Sequence, residues 1–408
     1  MEFDHLSIEK ELARPKGEIS IIKIVNSLIE DAYYSRASDI HIDPTETGVN
    51  IRFRIDGVMH IAFTLPKEIQ SEVISRIKVL SGLRTDEHQM AQDGRFQFIT
   101  SKKEKFDMRV SIVPTYYDEN VVMRLLTESA DTLTLEDLGF SGNDLPKVKR
   151  AISRPYGMIL ATGPTGSGKT TSLYTILKVL NTPETSIITI EDPIEFSLEG
   201  IDQIQVNNQT GLTFADGLRA ILRQDPNIIM VGEIRDEETA SIAVNAALTG
   251  HLLLSTIHTN DAATTLPRLL DMKVEPFLIA STVNIAIGQR LVRKICTECK
   301  TEKKYSMSEL EILLSSGISP ELVRQTEKFY YGKGCKKCNG SGYYGRVGIY
   351  EILEVTEAIR EAIITRKGAS DIKKIAFHEG MTTMVEDGFK KAVDGITTIE
   401  EVIRVIHE

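Results

Sequence analysis

The sequence predicts an α/β fold, with a core built on a mostly parallel sheet, a smaller α+β domain before it and a cysteine-bearing helical part after it. Three observations support this prediction. Strand-like apolar runs alternate with helical runs from about Leu145, as in sheets with crossover helices. One strand–helix junction there fits the pattern G-x-x-x-x-G-K-[ST]. The residues before Thr127 instead alternate apolar and polar positions, which is typical of strands exposed on one face.

Length and charge limit the possible classes of protein. A chain of 408 residues is long for one ordinary core and indicates two or three domains. The net charge of −10 argues against a protein that grips nucleic acid over a broad surface. No window approaches the ~20 apolar residues of a membrane span, and the start of the chain does not resemble a signal peptide. We therefore expect a cytoplasmic location, no transmembrane segment and no direct nucleic-acid partner.

The first part of the chain is expected to form a tail and a small α+β domain. Residues 1–18 are charged and show no period, which predicts a tail. In the domain at 19–128, apolar positions from Ile21 to Ala32 recur at helical spacing, and a second helix is predicted at 67–80. The expected strands are 38–42, 49–55, 58–61, 95–99, 106–112 and 121–126, with Asp56-Gly57 as a hairpin turn.

The remaining chain is divided by its pattern into a linker, a core and two C-terminal parts. Residues 129–144 lack a strong period and contain Gly139 and Gly142, so we expect an interdomain linker. The core is predicted at 145–293, with strands at 158–162, 186–191, 227–231 and 251–256 and helices at 169–180, 213–223 and 236–249. A cysteine-bearing subdomain is predicted at 294–340 and a helical subdomain at 341–408.

The glycine-rich motif of the core predicts a phosphate-binding loop. It consists of Gly163, Pro164, Thr165, Gly166, Ser167, Gly168, Lys169 and Thr170, followed by Thr171. Its glycines let backbone N–H groups surround a phosphate, and the helix N-terminus adds its positive dipole end. Lys169 is expected to reach the β- and γ-phosphates of ATP, and the Thr170 hydroxyl to hold Mg²⁺. An ordinary glycine-rich turn is the alternative, but the flanking strand and helix favour binding of ATP or ADP.

Carboxylates follow two of the predicted core strands. Glu191, Asp192 and Glu195 come at the end of strand 186–191, where α/β sheets place ligands. One of them should be free to orient or deprotonate water, although a solvated acidic loop is the alternative. Glu233 ends the strand at 227–231 in the manner of a Walker B strand, although the usual terminal Asp is replaced by Gly232-Glu233. It is expected to act on Mg²⁺ or its water, unless the apolar strand ends in Glu by chance.

Two histidines flank the last predicted core strand. A histidine near a core is often a hydrogen-bonded structural residue, and that alternative stays open for both His251 and His258. The position of His258 after the strand favours a role as sensor of the γ-phosphate.

All four cysteines lie in two C-x-x-C pairs, Cys296 with Cys299 and Cys335 with Cys338. Such pairs close tetrahedral four-thiolate zinc sites, which have no open coordination position and are structural. We therefore expect one structural Zn²⁺, with helices at 307–314 and 320–325 between the pairs. Reduced, metal-free cysteines are the alternative.

Taken together, these motifs resemble those of the secretion ATPases. The matching stretches are the phosphate loop and residues 190–195, 222–226, 233–236, 250–251 and 258–261. The pattern is that of type IV pilus extension ATPases and type II secretion ATPases, the PilB and GspE type. Residues 37–41 and 52–57 are similar to the second N-terminal domain of that branch, and 386–388 and 400–405 to its C-terminal helices. The resemblance covers nearly the whole chain from Ile21. It does not include the first N-terminal domain that is common in this branch.

The resemblance implies a RecA-like core in a homohexameric motor. Such motors couple ATP hydrolysis to domain rotation and drive polymerisation of a pilin-like substrate indirectly, through an inner-membrane platform protein. The four cysteines favour the extension and secretion branches over the retraction ATPases. Asp118-Glu119 stands where that branch usually has Gly-Glu, which is a departure from the pattern at this turn.

The resemblance also implies roles for particular residues. Glu195 matches the general base and Glu233 the Walker B glutamate. Arg95, Arg109 and Arg124 match arginines that approach the nucleotide phosphates, with Arg219 and Arg223 expected in the same neighbourhood. Solvated arginines on a β-face are the alternative.

Two other functions remain open at this point. One is a DNA-uptake or DNA-translocating motor, which would bind DNA in a strongly salt-dependent way. The other is a nucleotide-gated scaffold that binds ATP and scarcely hydrolyses it.

Overall fold

A computed structural model of the chain describes residues 6–15, 17–126, 133–303 and 328–407. The chain divides into two compact units, one of Met1–Ser129 with Lys333–Tyr344 and one of Ala130–Gly332 with Gly345–Glu408. The helices predicted at 307–314 and 320–325 lie outside the described residues.

An antiparallel sheet forms the framework of the first unit. Its strands are β1 (Ala37–Pro44), β2 (Gly48–Ile55), β3 (Val58–Pro66), β4 (Gln92–Ile99), β5 (Lys105–Thr115) and β6 (Asp118–Leu126). They lie in the order β3-β2-β1-β6-β5-β4, and every neighbouring pair is antiparallel. Because side chains alternate between the faces of a strand, one face supplies the core and the other carries polar groups.

Helices cover the apolar face of this sheet. They are α1 (Leu6–Leu12), α2 (Ile21–Tyr34), a short 3₁₀ helix (Lys67–Ile69) and α3 (Gln70–Leu80). As predicted, α2 buries the apolar stripe that runs from Ile24 to Ala32. The structure differs in the expected tail, since Ile8 of α1 is only 1% exposed and lies in the same core. Among the described side chains of α1, Ile8 is the one apolar residue that is fully buried, and a single such position is too weak a pattern to indicate a helix from sequence.

The second unit is built on a seven-stranded sheet. Its strands are β7 (Gly157–Thr162), β8 (Ile187–Glu191), β9 (Asp202–Gln205), β10 (Ile228–Val231), β11 (Leu252–Ile257), β12 (Val283–Ile295) and β15 (Tyr343–Glu354), and the separate pair β13 (Lys300–Lys303) and β14 (Phe329–Gly332) is antiparallel. The sheet order is β15-β12-β7-β11-β10-β8-β9, with parallel pairing from β12 through β9. The mostly parallel sheet predicted from the alternating pattern is thus confirmed.

Helices complete the second unit. They are α4 (Leu135–Leu138), α5 (Asp144–Ile152), α6 (Lys169–Leu180), α7 (Phe214–Ile221), α8 (Glu237–Leu248), α9 (Ala262–Asp271), α10 (Pro276–Thr282), α11 (Glu357–Ile364), α12 (Ala369–His378), α13 (Met384–Val393) and α14 (Ile399–His407). All six residues of β7 are buried, because helices cover the central strands on both faces.

Two segments differ from the sequence-based division. Leu135 and Phe140, in the expected linker 129–144, are buried in the core of the second unit. The Phe140 ring stacks on that of Tyr350, with centroids 3.9 Å apart. Tyr350 belongs to β15, which joins the core sheet although 341–408 was expected to be helical. Residues 129–132 of the expected linker lie outside the described residues.

Candidate active site

Four parallel strands end side by side at one edge of the second sheet. Thr162 of β7 pairs with Ile257 of β11, and Val231 of β10 pairs with Ser255 of β11 and with Ile190 of β8. The phosphate loop, the His258 segment, Glu233 and the acidic segment after Glu191 therefore leave the sheet at the same edge. This is where ligands bind in open α/β sheets.

The phosphate loop runs from the end of β7 to the start of α6. Gly163, Gly166 and Gly168 have φ values of 143°, 78° and 86°, in the left-handed region that favours glycine. The Lys169 ammonium donates hydrogen bonds to the carbonyls of Gly163 (2.8 Å) and Pro164 (3.0 Å). Burial lowers the pKa of Lys169, although the charge of Glu233 acts to raise it. The loop thus encloses the lysine, while Pro164 and its two successors lie exposed at the tip.

Strand β12 supports the loop from the side opposite β11. Gln289 is fully buried, and its Nε2 donates a hydrogen bond to the carbonyl of Ser167 (2.8 Å). Sequence reasoning missed this residue, because no motif showed that a strand more than one hundred residues later in the chain lies beside β7.

Glu233 lies directly after β10 and contacts two cationic or titratable groups. Its Oε2 is 2.5 Å from Nε of Arg235 and 3.2 Å from Nε2 of His258. The sequence pointed to Glu233 and His258 separately, and the structure brings them together. Arg235 received no role from the sequence, although it follows Glu233 by only two residues. Glu233 itself is 9% exposed, so it is largely shielded from solvent but still accessible to it.

The three carboxylates of the acidic segment have different surroundings. Glu191 is buried and accepts hydrogen bonds from Tyr174, Thr189 and Gln203. Burial raises the pKa of Glu191, and these three donors oppose the shift. Asp192 is exposed and Glu195 is half-buried. Within the described ranges, neither the Asp192 nor the Glu195 side chain has a hydrogen-bond partner, so Glu195 is the partly shielded carboxylate with free acceptor capacity.

The two histidines have different surroundings. His251 Nδ1 lies 2.9 Å from the carbonyl of Ala246 and is placed to donate to it, which fits the structural alternative. Next to His258, Thr259 binds the end of β7: its N–H donates to Thr162 Oγ1 at 3.0 Å. That bond couples the segment carrying His258 to the strand that leads into the phosphate loop.

Arginines of the first unit form a row across its sheet. Arg95 of β4 pairs with Arg109 of β5, and Arg109 pairs with Arg124 of β6. All three side chains lie on the exposed face. Arg95 binds Asp107 (2.8 Å) and Arg124 binds Asp39 (2.9 Å), whereas Arg109 forms no ion pair among the residues described. The row therefore places three guanidinium groups on one surface, two of them paired with aspartates.

Of the other two arginines implied by the resemblance, Arg219 on α7 is paired. It lies 3.3 Å from a carboxylate oxygen of Asp216 and 2.5 Å from one of Glu238. Arg223 donates to the carbonyl of Arg219 at 2.9 Å.

The four cysteines lie together. The sulphur atoms of Cys296, Cys299, Cys335 and Cys338 are all within 4.8 Å of one another, and those of the last two are 3.7 Å apart. A tetrahedral Zn²⁺ with bonds of about 2.3 Å spaces its sulphurs about 3.8 Å apart. The backbone N–H groups of Cys335 and Gly342 point to Cys338 Sγ, at 3.1 and 3.3 Å. The cluster is compatible with a zinc site.

None of the helices described is long and apolar enough to cross a membrane.

Comparison with known proteins places this architecture among relatives of known activity. Residues 14–404 match the family model described as type II/IV secretion system protein. The chain is 45% identical to the type IV pilus assembly ATPase PilB of Myxococcus xanthus, covering 96% of this chain and 69% of that protein. It is 44% identical to the type II secretion system ATPase E of Vibrio cholerae, covering 99% and 79%. It is 48% identical to PilB of Thermus thermophilus but spans only 45% of that protein's length.

Solved structures agree on the fold. The pilus retraction motor PilT with bound ADP matches with a TM-score of 0.60 and 27% identity, covering 93% of this chain and 95% of that one. The Legionella pneumophila ATPase DotB matches with a TM-score of 0.69 over 97% and 98% of the two chains. At 23% identity, the second likeness concerns the fold alone.

Proposed function

Because this chain belongs to the type II/IV secretion system protein family, we propose that it is a motor for type IV pilus assembly or type II secretion. The family and its relatives identify an ATP-hydrolysing enzyme. The motor acts as a homohexamer on the cytoplasmic side of the inner membrane, where a platform protein transmits its motion to a pilin-like substrate. The observation that carries the proposal is the meeting of Lys169, Glu233 and His258 at one edge of the sheet.

In the proposed reaction, Lys169 binds the β- and γ-phosphates and the Thr170 hydroxyl holds Mg²⁺ together with Glu233. Mg²⁺ supplies charge neutralisation on the phosphate oxygens. Glu195 acts as general base because its carboxylate has free acceptor capacity, whereas three donors occupy Glu191. Glu191 therefore holds β8 against α6 in this proposal, and Asp192 contributes only charge. His258 senses the γ-phosphate through its contact with Glu233.

Arginines complete the charge balance in the proposed mechanism. The transferred phosphoryl group carries negative charge that one lysine and one Mg²⁺ neutralise only in part. The row of Arg95, Arg109 and Arg124 is a dense source of positive charge in this chain, and Arg109 has no carboxylate partner among the described residues. We assign these arginines to the nucleotide of a neighbouring subunit, which links hydrolysis to movement of the domain that carries them.

Zn²⁺ is the proposed occupant of the cysteine cluster. Four thiolates that coordinate one ion tetrahedrally leave no open coordination position, so this metal stabilises the fold and takes no part in hydrolysis. Elemental analysis of protein purified without added metal should give one zinc per chain. A value near zero, with stability indifferent to chelators, would leave four reduced thiols.

Replacing Glu233 by Gln tests the motor directly. Glu233→Gln keeps the size of the side chain but removes its charge, so ATP should still bind while phosphate release falls at least about 100-fold. Glu237→Gln is the matched control, because it removes an exposed carboxylate of α8 whose ion pair, among the residues that the structure describes, is with Lys273. Unchanged hydrolysis in Glu233→Gln would refute the assignment. Absence of hydrolysis in the parent protein would indicate the nucleotide-gated scaffold.

A further inference from the structure

The phosphate loop has a second cation beside it, on β12. Arg290 follows Gln289, the residue that holds the loop carbonyl of Ser167. The terminal nitrogen of the Arg290 guanidinium lies 3.3 Å from the position that a β-carbon on Gly163 would take. Arg290 is therefore in contact with the first residue of the loop, and the contact depends on that residue being glycine.

The charge of Arg290 is not balanced by a carboxylate. In the part of the chain that the structure describes, Arg290 forms no ion pair, and its hydrogen bond goes to the carbonyl of Gln289 at 3.3 Å. Asp261 attracts it from a distance, but the Asp261 carboxylate is already bound to Lys373 (3.2 Å). Burial is the main cause of the lowered pKa of Lys169, and the positive charge of Arg290 acts in the same direction. An anion bound near both cations would favour the charged form of each.

A second donor lies at the same glycine. Ser167 is 3% exposed, and its Oγ is 2.7 Å from the position of a β-carbon on Gly163. Among the described residues this hydroxyl has no hydrogen-bond partner. A buried polar group without a hydrogen-bond partner destabilises the folded state. The surroundings of Gly163 thus combine a guanidinium without an ion pair and a hydroxyl without a hydrogen bond, as far as the described residues show.

From this arrangement we infer that Arg290 binds the phosphate tail of the nucleotide in its own subunit, as a second cation beside Lys169. The inference rests on the proposed function, since it assigns a further residue to the same nucleotide site. It differs from the role of the arginine row, because Arg290 is fixed on the core sheet next to the loop. Gln289 is a positioning residue in this scheme: its hydrogen bond holds the loop at the distance from β12 that lets Arg290 reach a phosphate.

The experiment measures nucleotide binding to the full chain, apart from hydrolysis. Affinities for fluorescent ATP and ADP are compared for the parent, Arg290→Ala, Arg290→Met and Arg290→Lys, with tripolyphosphate as competitor. Loss of one charged hydrogen bond should weaken ATP and ADP binding about 10-fold in the first two variants. Arg290→Lys should recover part of the loss, because the charge remains. Lys294→Ala is the matched control, since it removes an exposed cation of the same strand.

Thermal unfolding separates phosphate binding from a structural role. Removing Arg290 relieves its repulsion of Lys169, so the Tm of the nucleotide-free protein should stay unchanged or rise. The increase in Tm that saturating ATP gives should shrink. A lowered Tm without nucleotide, combined with unchanged affinity for ATP and ADP, would overturn the inference and leave Arg290 as a support for the loop. That outcome would not affect the proposed function, which is tested by phosphate release from the parent protein.

Discussion

At the scale of single residues, Glu191 and Glu195 of the acidic segment are expected to have different roles because their surroundings differ. Glu191 and Glu195 are four residues apart, yet one is buried among three hydrogen-bond donors and the other is half-buried with free oxygen atoms. A carboxylate that already accepts several hydrogen bonds is a poor base for water. The difference between them is set by the side chains of Tyr174, Thr189 and Gln203, which donate hydrogen bonds to the carboxylate of Glu191.

Paired substitutions should separate these two roles. Glu195→Gln should lower ATP turnover at least about 100-fold and leave the free energy of unfolding nearly unchanged. Glu191→Gln should instead lower the free energy of unfolding by about 2 kcal/mol, because one or more buried donors lose their acceptor. Steady-state phosphate release and urea unfolding measure the two effects. Equal loss of turnover in both variants at unchanged stability would contradict the division of roles.

At the scale of elements, α14 is fixed to β12 by one buried carboxylate. Glu401 binds Arg293 at 2.5 Å and Arg404 at 2.9 Å, and its side chain is 2% exposed. Burial alone raises the pKa of Glu401, but hydrogen bonds from the two guanidinium groups outweigh it and hold the pKa at about 2. The C-terminal helix is therefore attached to the same strand that carries Arg290.

The stability of this attachment should depend on pH. The folded-state pKa of Glu401 lies below its ordinary value of 4.5, so the stabilisation is complete above about pH 4.5 and is lost as the pH falls toward 2. Glu401→Gln breaks a buried ion pair and should cost about 3 kcal/mol at pH 7. The cost should shrink as the pH falls below 4.5. Denaturant unfolding of parent and variant from pH 7 to pH 3 measures it, and a constant difference would disprove the linkage.

At the scale of the whole molecule, we expect the arginine row of one subunit to act on ATP hydrolysis in the neighbouring subunit. Arg109→Ala should abolish turnover while ATP still binds, because the row acts on charge that develops during hydrolysis. When Arg109→Ala subunits are mixed with Glu233→Gln subunits, some sites combine an intact Glu233 with an intact Arg109. Phosphate release should then recover in part. Full activity of Arg109→Ala alone would refute the role, and no recovery on mixing would place the arginine in its own subunit.

The sequence predicted the core well, because its strands, helices and phosphate loop follow one another locally. Every predicted core strand from 158 to 256 has a counterpart in β7, β8, β10 and β11. The sequence missed what depends on distant pairing, namely Gln289 beside the phosphate loop and β15 in the core sheet. Both contacts join segments that lie far apart in the chain, and apolar alternation carries no information about such partners.

The same limit applies to turn geometry. Asp118 stands where the resemblance described above implies glycine, and its φ of 141° is one that glycine adopts freely. The Asp118 side chain accepts hydrogen bonds from the Glu119 N–H (2.8 Å) and from Gln70 (2.8 Å). These contacts hold the residue in a conformation that its identity alone disfavours. No local pattern indicated Gln70 as a partner, since it lies on α3.

The position of β7 between β11 and β12 has a consequence for synthesis on the ribosome. β7 ends at residue 162, but its two neighbours are made only with residues 252–257 and 283–295. At roughly 5–20 residues per second, the strand that leads into the phosphate loop waits several seconds for both partners to emerge. Nascent chains arrested before β12 should therefore fail to retain ATP, and chains arrested well after it should retain it. ATP binding by the shorter chains would show that β12 is dispensable for assembling the loop.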